Sequence, residues 1–216
     1  MLLFGEAGVE VDRDFLSIGT WRTVKGENMV IRKRFCALIS LGALVGMVGM
    51  GLLALAGPAA AEEEFDPQGR LESLGIELPE PSAPVANFVR TVRTGNLVFT
   101  SGHVPRNKDG SFVTGKLGRD LTVEQGYDAA RLTAIGLLAS LQKEIGDLSR
   151  VRRVVKVTGM VNSDPEFVDQ SKVINGCSDL LVEVFGDRGR HARAAVGMAS
   201  LPMGFAVEIE MIVEVE

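Results

Sequence analysis

The chain has little of the side-chain chemistry that most catalytic sites draw on. It holds two cysteines, two histidines, one tryptophan and one tyrosine in 216 residues, and aromatics make up only 6%. So few cysteines exclude the disulfide framework of a small secreted scaffold, and so few Cys and His exclude a metal cluster at ligand spacing. The net charge is −5, and downstream of residue 61 no basic run is longer than Arg152-Arg153. The electrostatic footprint of a nucleic-acid binder is therefore missing, and no nucleic-acid partner is expected.

What is present is unevenly placed. From Met29 the chain runs into Arg32-Lys33-Arg34, then an uncharged apolar stretch from Phe35 to Ala61 that ends in Ala59-Ala60-Ala61 before Glu62-Glu63-Glu64. A basic region, an apolar region and a small-residue cleavage site make a secretory signal peptide. Cleavage is expected after Ala61 and the true start at Met29. The run is also long enough to be an uncleaved anchor, but Gly42, Gly46, Gly49 and Gly51 weaken it as a helix. Residues 1–61 are thus read as an extension plus signal peptide, and the working protein as periplasmic or secreted, with no membrane attachment after cleavage. Cys36 leaves with the signal, so Cys177 has no internal partner and, on the apolar stripe of its helix, reads as core.

Residues 62–86 are rich in proline and glutamate and read as a flexible arm that packs late or not at all. Pro79, Pro81 and Pro84 exclude helix from its second half. A folded domain is expected over 87–216. Phe88–Arg93 and Leu97–Ser101 are β-rich runs around Thr94-Gly95-Asn96, a hairpin signal. Thr122 and Gln125 make a capping box for a helix whose stripe of Val123, Tyr127, Ala130, Ala134, Leu137, Leu138, Leu141 and Ile145 ends at Gly146. Val151 to Val161 reads as a third strand, with the valines at 155, 157 and 161 on one face. Asp164-Pro165-Glu166 reads as the start of a second helix that carries Ile174, Cys177, Leu181, Val184 and Phe185 inward.

The last stretch reads as a hairpin. Leu201-Pro202-Met203-Gly204 supplies a turn, and beyond it Phe205, Val207, Ile209, Met211, Val213 and Val215 alternate with Ala206, Glu208, Glu210, Ile212 and Glu214. Before the turn Arg193 is a lone guanidinium among Ala192, Ala194, Ala195, Gly197 and Ala199, small residues that leave space for a pocket. In such a hairpin Arg193 stands opposite residues 211 to 213, and Glu208 lies roughly 10–17 Å along the ladder at about 3.3 Å per residue. The predicted order is β-β-α-β-α-β-β, an α+β domain with two helices over one face of a sheet. No helix remains for the other face, so subunit association is expected.

From about residue 84 to 216 the chain resembles the RidA/YjgF family of reactive-intermediate deaminases. The resemblance rests on Gly95-Asn96-Leu97-Val98-Phe99-Thr100-Ser101-Gly102, His191-Ala192-Arg193-Ala194-Ala195-Val196, Leu201-Pro202 and Val207-Glu208-Ile209-Glu210. It implies a chorismate-mutase-like fold, a homotrimer, and small-carboxylate sites in clefts between subunits. It further implies hydrolysis of 2-imino or enamino acids to 2-oxo acids and ammonia with no metal or organic cofactor. By position, Arg193 matches the family arginine that forks the substrate carboxylate, and Glu208 the glutamate that positions the hydrolytic water. Phe88, Gly102, Asn175 and Ala195 match the substrate-binding surround. Phe88 stands where the family often has tyrosine, and Ala194-Ala195 where Ser-Cys is usual; both changes spare the carboxylate fork and remove polar groups.

Each residue has a plainer reading too. Arg193 could pair with a neighbouring acid, Glu208 could belong with Glu210 and Glu214 to a solvated strand face, and Asn175 to a helix surface. His103 and His191, without a nucleophile in a recognisable setting, read as pocket-edge or surface residues. Besides the deaminase, two functions stand as alternatives. One is a non-catalytic trimer that binds small carboxylates. The other is an endoribonuclease, an activity of some family members, against which the acidic charge and the lack of a basic aromatic surface count.

Overall fold

The computed structural model of the chain describes residues 65–84 and 86–216. The signal peptide, its cleavage after Ala61 and the start at Met29 lie outside the described residues. Among those described, no helix is long and apolar enough to cross a membrane.

The elements follow in the order α1 (Pro67–Ser73), β1 (Thr91–Thr94), β2 (Leu97–Thr100), α2 (Val123–Ile145), β3 (Val151–Asn162), α3 (Gln170–Phe185), β4 (Ala192–Met198) and β5 (Val207–Val215). The five strands form one sheet in the order β1-β2-β5-β3-β4. All neighbouring pairs are antiparallel except β3 and β4, which run parallel. The α+β reading holds, with α2 and α3 on the same sheet face.

Local chemistry explains the elements that read cleanly. Thr122 accepts from the Gln125 N–H while the Gln125 side chain accepts from the Thr122 N–H, so two donors at the start of α2 are satisfied reciprocally. Leu137, Leu138 and Leu141 on α2, and Ile174, Cys177, Leu181 and Val184 on α3, are wholly buried against Val154, Val157, Val161, Ile209 and Val213 of the sheet. On their outer surfaces the helices are joined by Tyr127 to Asp179 at 3.0 Å and by Arg131 to Glu183 at 2.7 Å.

Four expectations need correction. First, residues 65–78 are not a flexible arm. Asp66 caps α1 by accepting from Gly69, Leu71 is fully buried, and Phe65 packs on Phe185 beneath the Arg188 guanidinium. The prolines of 79–84 do lie outside any helix, so composition excludes helix there and does not extend to 65–78.

Second, α3 starts at Gln170 and not at Pro165. The Asp164 side chain takes the Glu166 N–H and its carbonyl takes the Phe167 N–H, which closes a single turn instead of starting a helix. Third, Val155 does not face inward with Val157 and Val161. Register shifts between Val151 and Arg153 and between Val154 and Lys156 place an extra residue in β3 each time, so Val151, Val154 and Val157 are buried and Val155 is exposed.

The fourth correction matters most for function. The last two strands are not a hairpin: β3 lies between them. Val157 stands beside Arg193 on one side and Met211 on the other, so the expected row is right but a whole strand intervenes. The chain crosses the end of β3 through Leu201–Phe205, where Met203 and Gly204 have φ of 52° and 70°. That crossing is pinned by Gly115 N–H to Gly204 O and by Asn162 N–H to Ala206 O.

Candidate functional site

The sheet topology divides the predicted residues into two groups. Arg193 shares a row with Val157, whose side chain is buried under the helices, and it reaches α3. One guanidinium nitrogen, Nη1, donates to Asn175 Oδ1 at 2.9 Å and to Ser178 Oγ at 3.0 Å. The other, Nη2, approaches the Ser171 carbonyl at 3.5 Å. Ala195 is two residues on and faces the same side, half-buried. No carboxylate of the described residues forms an ion pair with Arg193. It therefore stands as an exposed cation held in place by neutral oxygens, on the edge strand of the sheet.

Glu208 belongs to the other face. It shares a row with Met160 and Val196, three residues along from the Arg193 row and of opposite parity. Two strand spacings of about 4.8 Å and three residues of about 3.3 Å place the two Cα atoms about 14 Å apart, with the side chains leaving by opposite faces. Within one chain they do not meet.

The setting of Glu208 is built by a bulge. Strand β2 leaves β5 after Phe99 opposite Ile212, and pairing resumes at His103 opposite Ile209, with one extra residue on the first side. Thr100 fills the break, its Oγ1 accepting from Met211 N–H at 2.9 Å. This arch carries Gly102 across the Glu208 side chain. A Cβ at position 102 would lie 2.0 Å from Glu208 Oε1, so the carboxylate occupies the space that only glycine leaves. No described residue accepts from the Gly102 N–H. Half-buried, and beside Glu210, the Glu208 carboxyl has its pKa raised, chiefly by desolvation and then by the like charge.

Phe88 lies just before β1 and is exposed, with the Arg90 guanidinium 5.7 Å from its ring centre. The Ser101 side chain bonds the Val89 carbonyl and its N–H the Arg90 carbonyl, so Phe88 is tethered to the arch that bears Gly102. The six predicted site residues thus fall into one group of Arg193, Asn175 and Ala195 and another of Glu208, Gly102 and Phe88. Ser171 and Ser178 were missed, although with Asn175 they stand at i, i+4 and i+7 on α3, a polar stripe beside the apolar one.

Neither histidine is a free general base. His103 is buried, its Nδ1 at 2.8 Å from the Ser101 carbonyl and its Nε2 at 2.7 Å from Ser140 Oγ, and burial lowers its pKa. It locks the arch to α2. Cys177 is wholly buried and its thiol is pushed up to about 12 by desolvation, which suits core and not a nucleophile. No three His, Cys, Asp or Glu side chains of the described residues converge as metal ligands.

A groove of about 580 Å³ lies elsewhere, among Lys116, Ser163, Gln170 and Met198. The Lys116 ammonium there donates to Asn162 Oδ1, the Ser163 carbonyl and the Ala199 carbonyl at 3.0, 3.4 and 2.6 Å. All three of its protons tie the ends of β3 and β4 together. It is a structural lysine.

The site's frame is thus an α+β sheet with two helices on one face, an oxygen-held arginine on its edge strand and, on the uncovered face, a half-buried glutamate under a glycine arch. The comparisons with known proteins agree on the fold. A sequence model of the family described as "YjgF/chorismate_mutase-like, putative endoribonuclease" matches residues 68–215. "Protein TCP17" of Trypanosoma cruzi is 50% identical over 145 residues, which cover 67% of this chain and 91% of that one. The structure of Atu1372, a protein of unknown function from Agrobacterium tumefaciens, superposes with a TM-score of 0.64 at 49% identity over 69% of this chain and 94% of that one. A Shewanella oneidensis structure described as a "putative endoribonuclease" gives 0.67 at 33% identity, over 69% of this chain and 99% of that one. The chain belongs to the YjgF/RidA family and has its chorismate-mutase-like fold.

Proposed function

We propose that this protein hydrolyses 2-imino or enamino acids to 2-oxo acids and ammonia, in clefts where the Arg193 surface of one chain meets the Glu208 surface of another. The observation that carries the reading is the Glu208 carboxyl itself: half-buried, laid against Gly102, with a raised pKa. A carboxyl so placed holds a proton more readily than a solvated one and can take one from water and return it. An exposed strand glutamate would only be solvated.

The substrate carboxylate sits on Arg193, for which a planar guanidinium is better suited than an ammonium. Water adds through oxygen to C2 of the protonated imine while Glu208 takes one of its protons. The carboxylic acid then gives that proton to the nitrogen, the C–N bond breaks toward nitrogen, and the hydroxyl proton passes by way of the Glu208 carboxylate to the departing ammonia as the carbonyl forms. One protonated imine and one water give one 2-oxo acid and one ammonium ion.

Association is part of the proposal. Val92, Phe99, Val196 and Met198 are exposed on the sheet face that no helix covers, which a homotrimer would bury. The test is release of ammonia and pyruvate from freshly generated 2-iminopropanoate. Wild-type protein should release both faster than buffer, and Glu208→Gln should not, while still binding pyruvate. Binding through Arg193 with no release by the wild type would overturn the deaminase reading in favour of a carboxylate binder.

A further inference from the structure

Three side chains behind Arg193 form a chain of hydrogen bonds whose direction is fixed by chemistry. His191 Nδ1 lies 2.6 Å from the Gly189 carbonyl oxygen, and a carbonyl cannot donate, so Nδ1 carries the proton. In the neutral ring Nε2 is then bare. It lies 3.0 Å from Ser178 Oγ and must accept the serine hydroxyl proton. With its proton committed to His191, Ser178 Oγ can only accept from Arg193 Nη1, at 3.0 Å. The second Nη1 proton goes to Asn175 Oδ1 at 2.9 Å.

Both Nη1 protons are therefore used within the chain, and nothing among the described residues takes the Nε–H. One Nη2 proton approaches the Ser171 carbonyl at 3.5 Å, and the edge left for a ligand is the one formed by Nε–H and the other Nη2–H, two parallel donors that match the two oxygens of a carboxylate side-on. A guanidinium free to rotate would offer several edges. This one is turned.

We infer that Ser178 and His191 are positioning residues for ligand binding: His191 orients the Ser178 hydroxyl, and Ser178 with Asn175 turns Arg193 so that its Nε–H/Nη2–H edge faces the ligand. The inference rests on the reading of Arg193 as the carboxylate-binding group and adds to it the edge used and the residues that present it. His191 also senses Arg193 directly. Its pKa is lowered by burial and by the Arg193 charge, against the Gly189 bond. The charged group facing His191 is Arg193 on β4; from α3 it meets the neutral Ser178, and from the preceding turn the Gly189 carbonyl.

Pyruvate binding to the full protein by calorimetry at pH 7.5 tests this. Ser178→Ala and His191→Leu should each weaken binding by about tenfold, the loss expected when one hydrogen bond to a charged group no longer fixes its orientation. The double variant should be no weaker than Ser178→Ala alone, because His191 acts through Ser178. His191→Gln, which keeps an acceptor for the serine hydroxyl, should restore most of the affinity. A second readout needs no ligand: the His191 titration followed by NMR should shift to higher pH in Arg193→Ala, as the neighbouring positive charge is removed. Additive losses, an unshifted titration, or unchanged affinity in Ser178→Ala with Arg193→Lys weakened would overturn the inference alone. Wild-type affinity in Arg193→Lys, or no pyruvate binding by the wild type, would bring down the carboxylate reading and this inference with it.

Discussion

Position 102 is where one missing carbon does the most. The three atoms nearest an ideal Cβ at Gly102 all belong to the Glu208 side chain, Oε1 at 2.0 Å, Cδ at 2.8 Å and Cγ at 2.9 Å. A flexible side chain yields easily, so Gly102→Ala should leave stability within about 0.5 kcal/mol of wild type. The same displacement moves the carboxylate by an ångström or more, and turnover should fall by about a hundredfold. Urea unfolding and the imine assay measured on the same preparation check the split; a large loss of stability would make Gly102 a folding residue. Glu208 itself has a pH signature. A carboxyl whose folded pKa is raised contributes stability that is fully present below its ordinary value of 4.5 and is lost as pH rises through the raised value. Glutamine stays neutral throughout. Glu208→Gln should therefore melt above the wild type at pH 8, level with it near pH 4, and be inactive at both. A Tm difference that does not change with pH would show that Glu208 is solvated.

At the scale of elements, the close approach of α2 and α3 depends on Gly176. A Cβ there would stand 2.0 Å from the Tyr127 carbonyl oxygen, a backbone atom that cannot swing aside. Gly176→Ala should destabilise by about 1–3 kcal/mol, the ordinary cost of overpacking, despite the better helix propensity of alanine. Because Asn175 and Ser178 flank it on α3, carboxylate affinity should fall as well. Denaturant unfolding and pyruvate titration check both. Elements specified by their own residues were legible in the sequence: the Thr122/Gln125 box, the stripes of both helices and the alternation of β5 needed no partner to be read. What was not legible depended on neighbours. Whether Leu201–Gly204 closes a hairpin or steps over β3 is decided by which strand fills the gap, and the turn residues suit both. The two β3 bulges likewise exist only relative to β5, and so Val155 was assigned to the wrong face. Both groups of candidate residues follow from the resemblance, but their separation onto two faces comes only with strand order.

At the scale of the whole molecule, that separation fixes what a working site requires. Arg193 leaves the sheet on the helix side of its edge strand, and Glu208 leaves on the uncovered side three rows away. No side-chain rotation in one chain brings both onto a molecule as small as an imino acid. On the proposed function each chain would carry two half-sites, and a ring of three identical chains could pair the arginine half of each with the glutamate half of the next. The proposal therefore predicts a number as well as a direction. In a mixed ring of Arg193→Ala and Glu208→Ala chains, whichever is in the majority, one junction in three joins an intact arginine to an intact glutamate. An equal mixture makes about three quarters of all trimers mixed, so two inactive proteins should recover about a quarter of wild-type activity once their subunits exchange. Native mass spectrometry can verify the exchange independently of the assay. Recovery near that fraction fits a cyclic trimer with shared sites, whereas exchange without recovery would place the two groups in one chain and require the sheet to be distorted from the arrangement described.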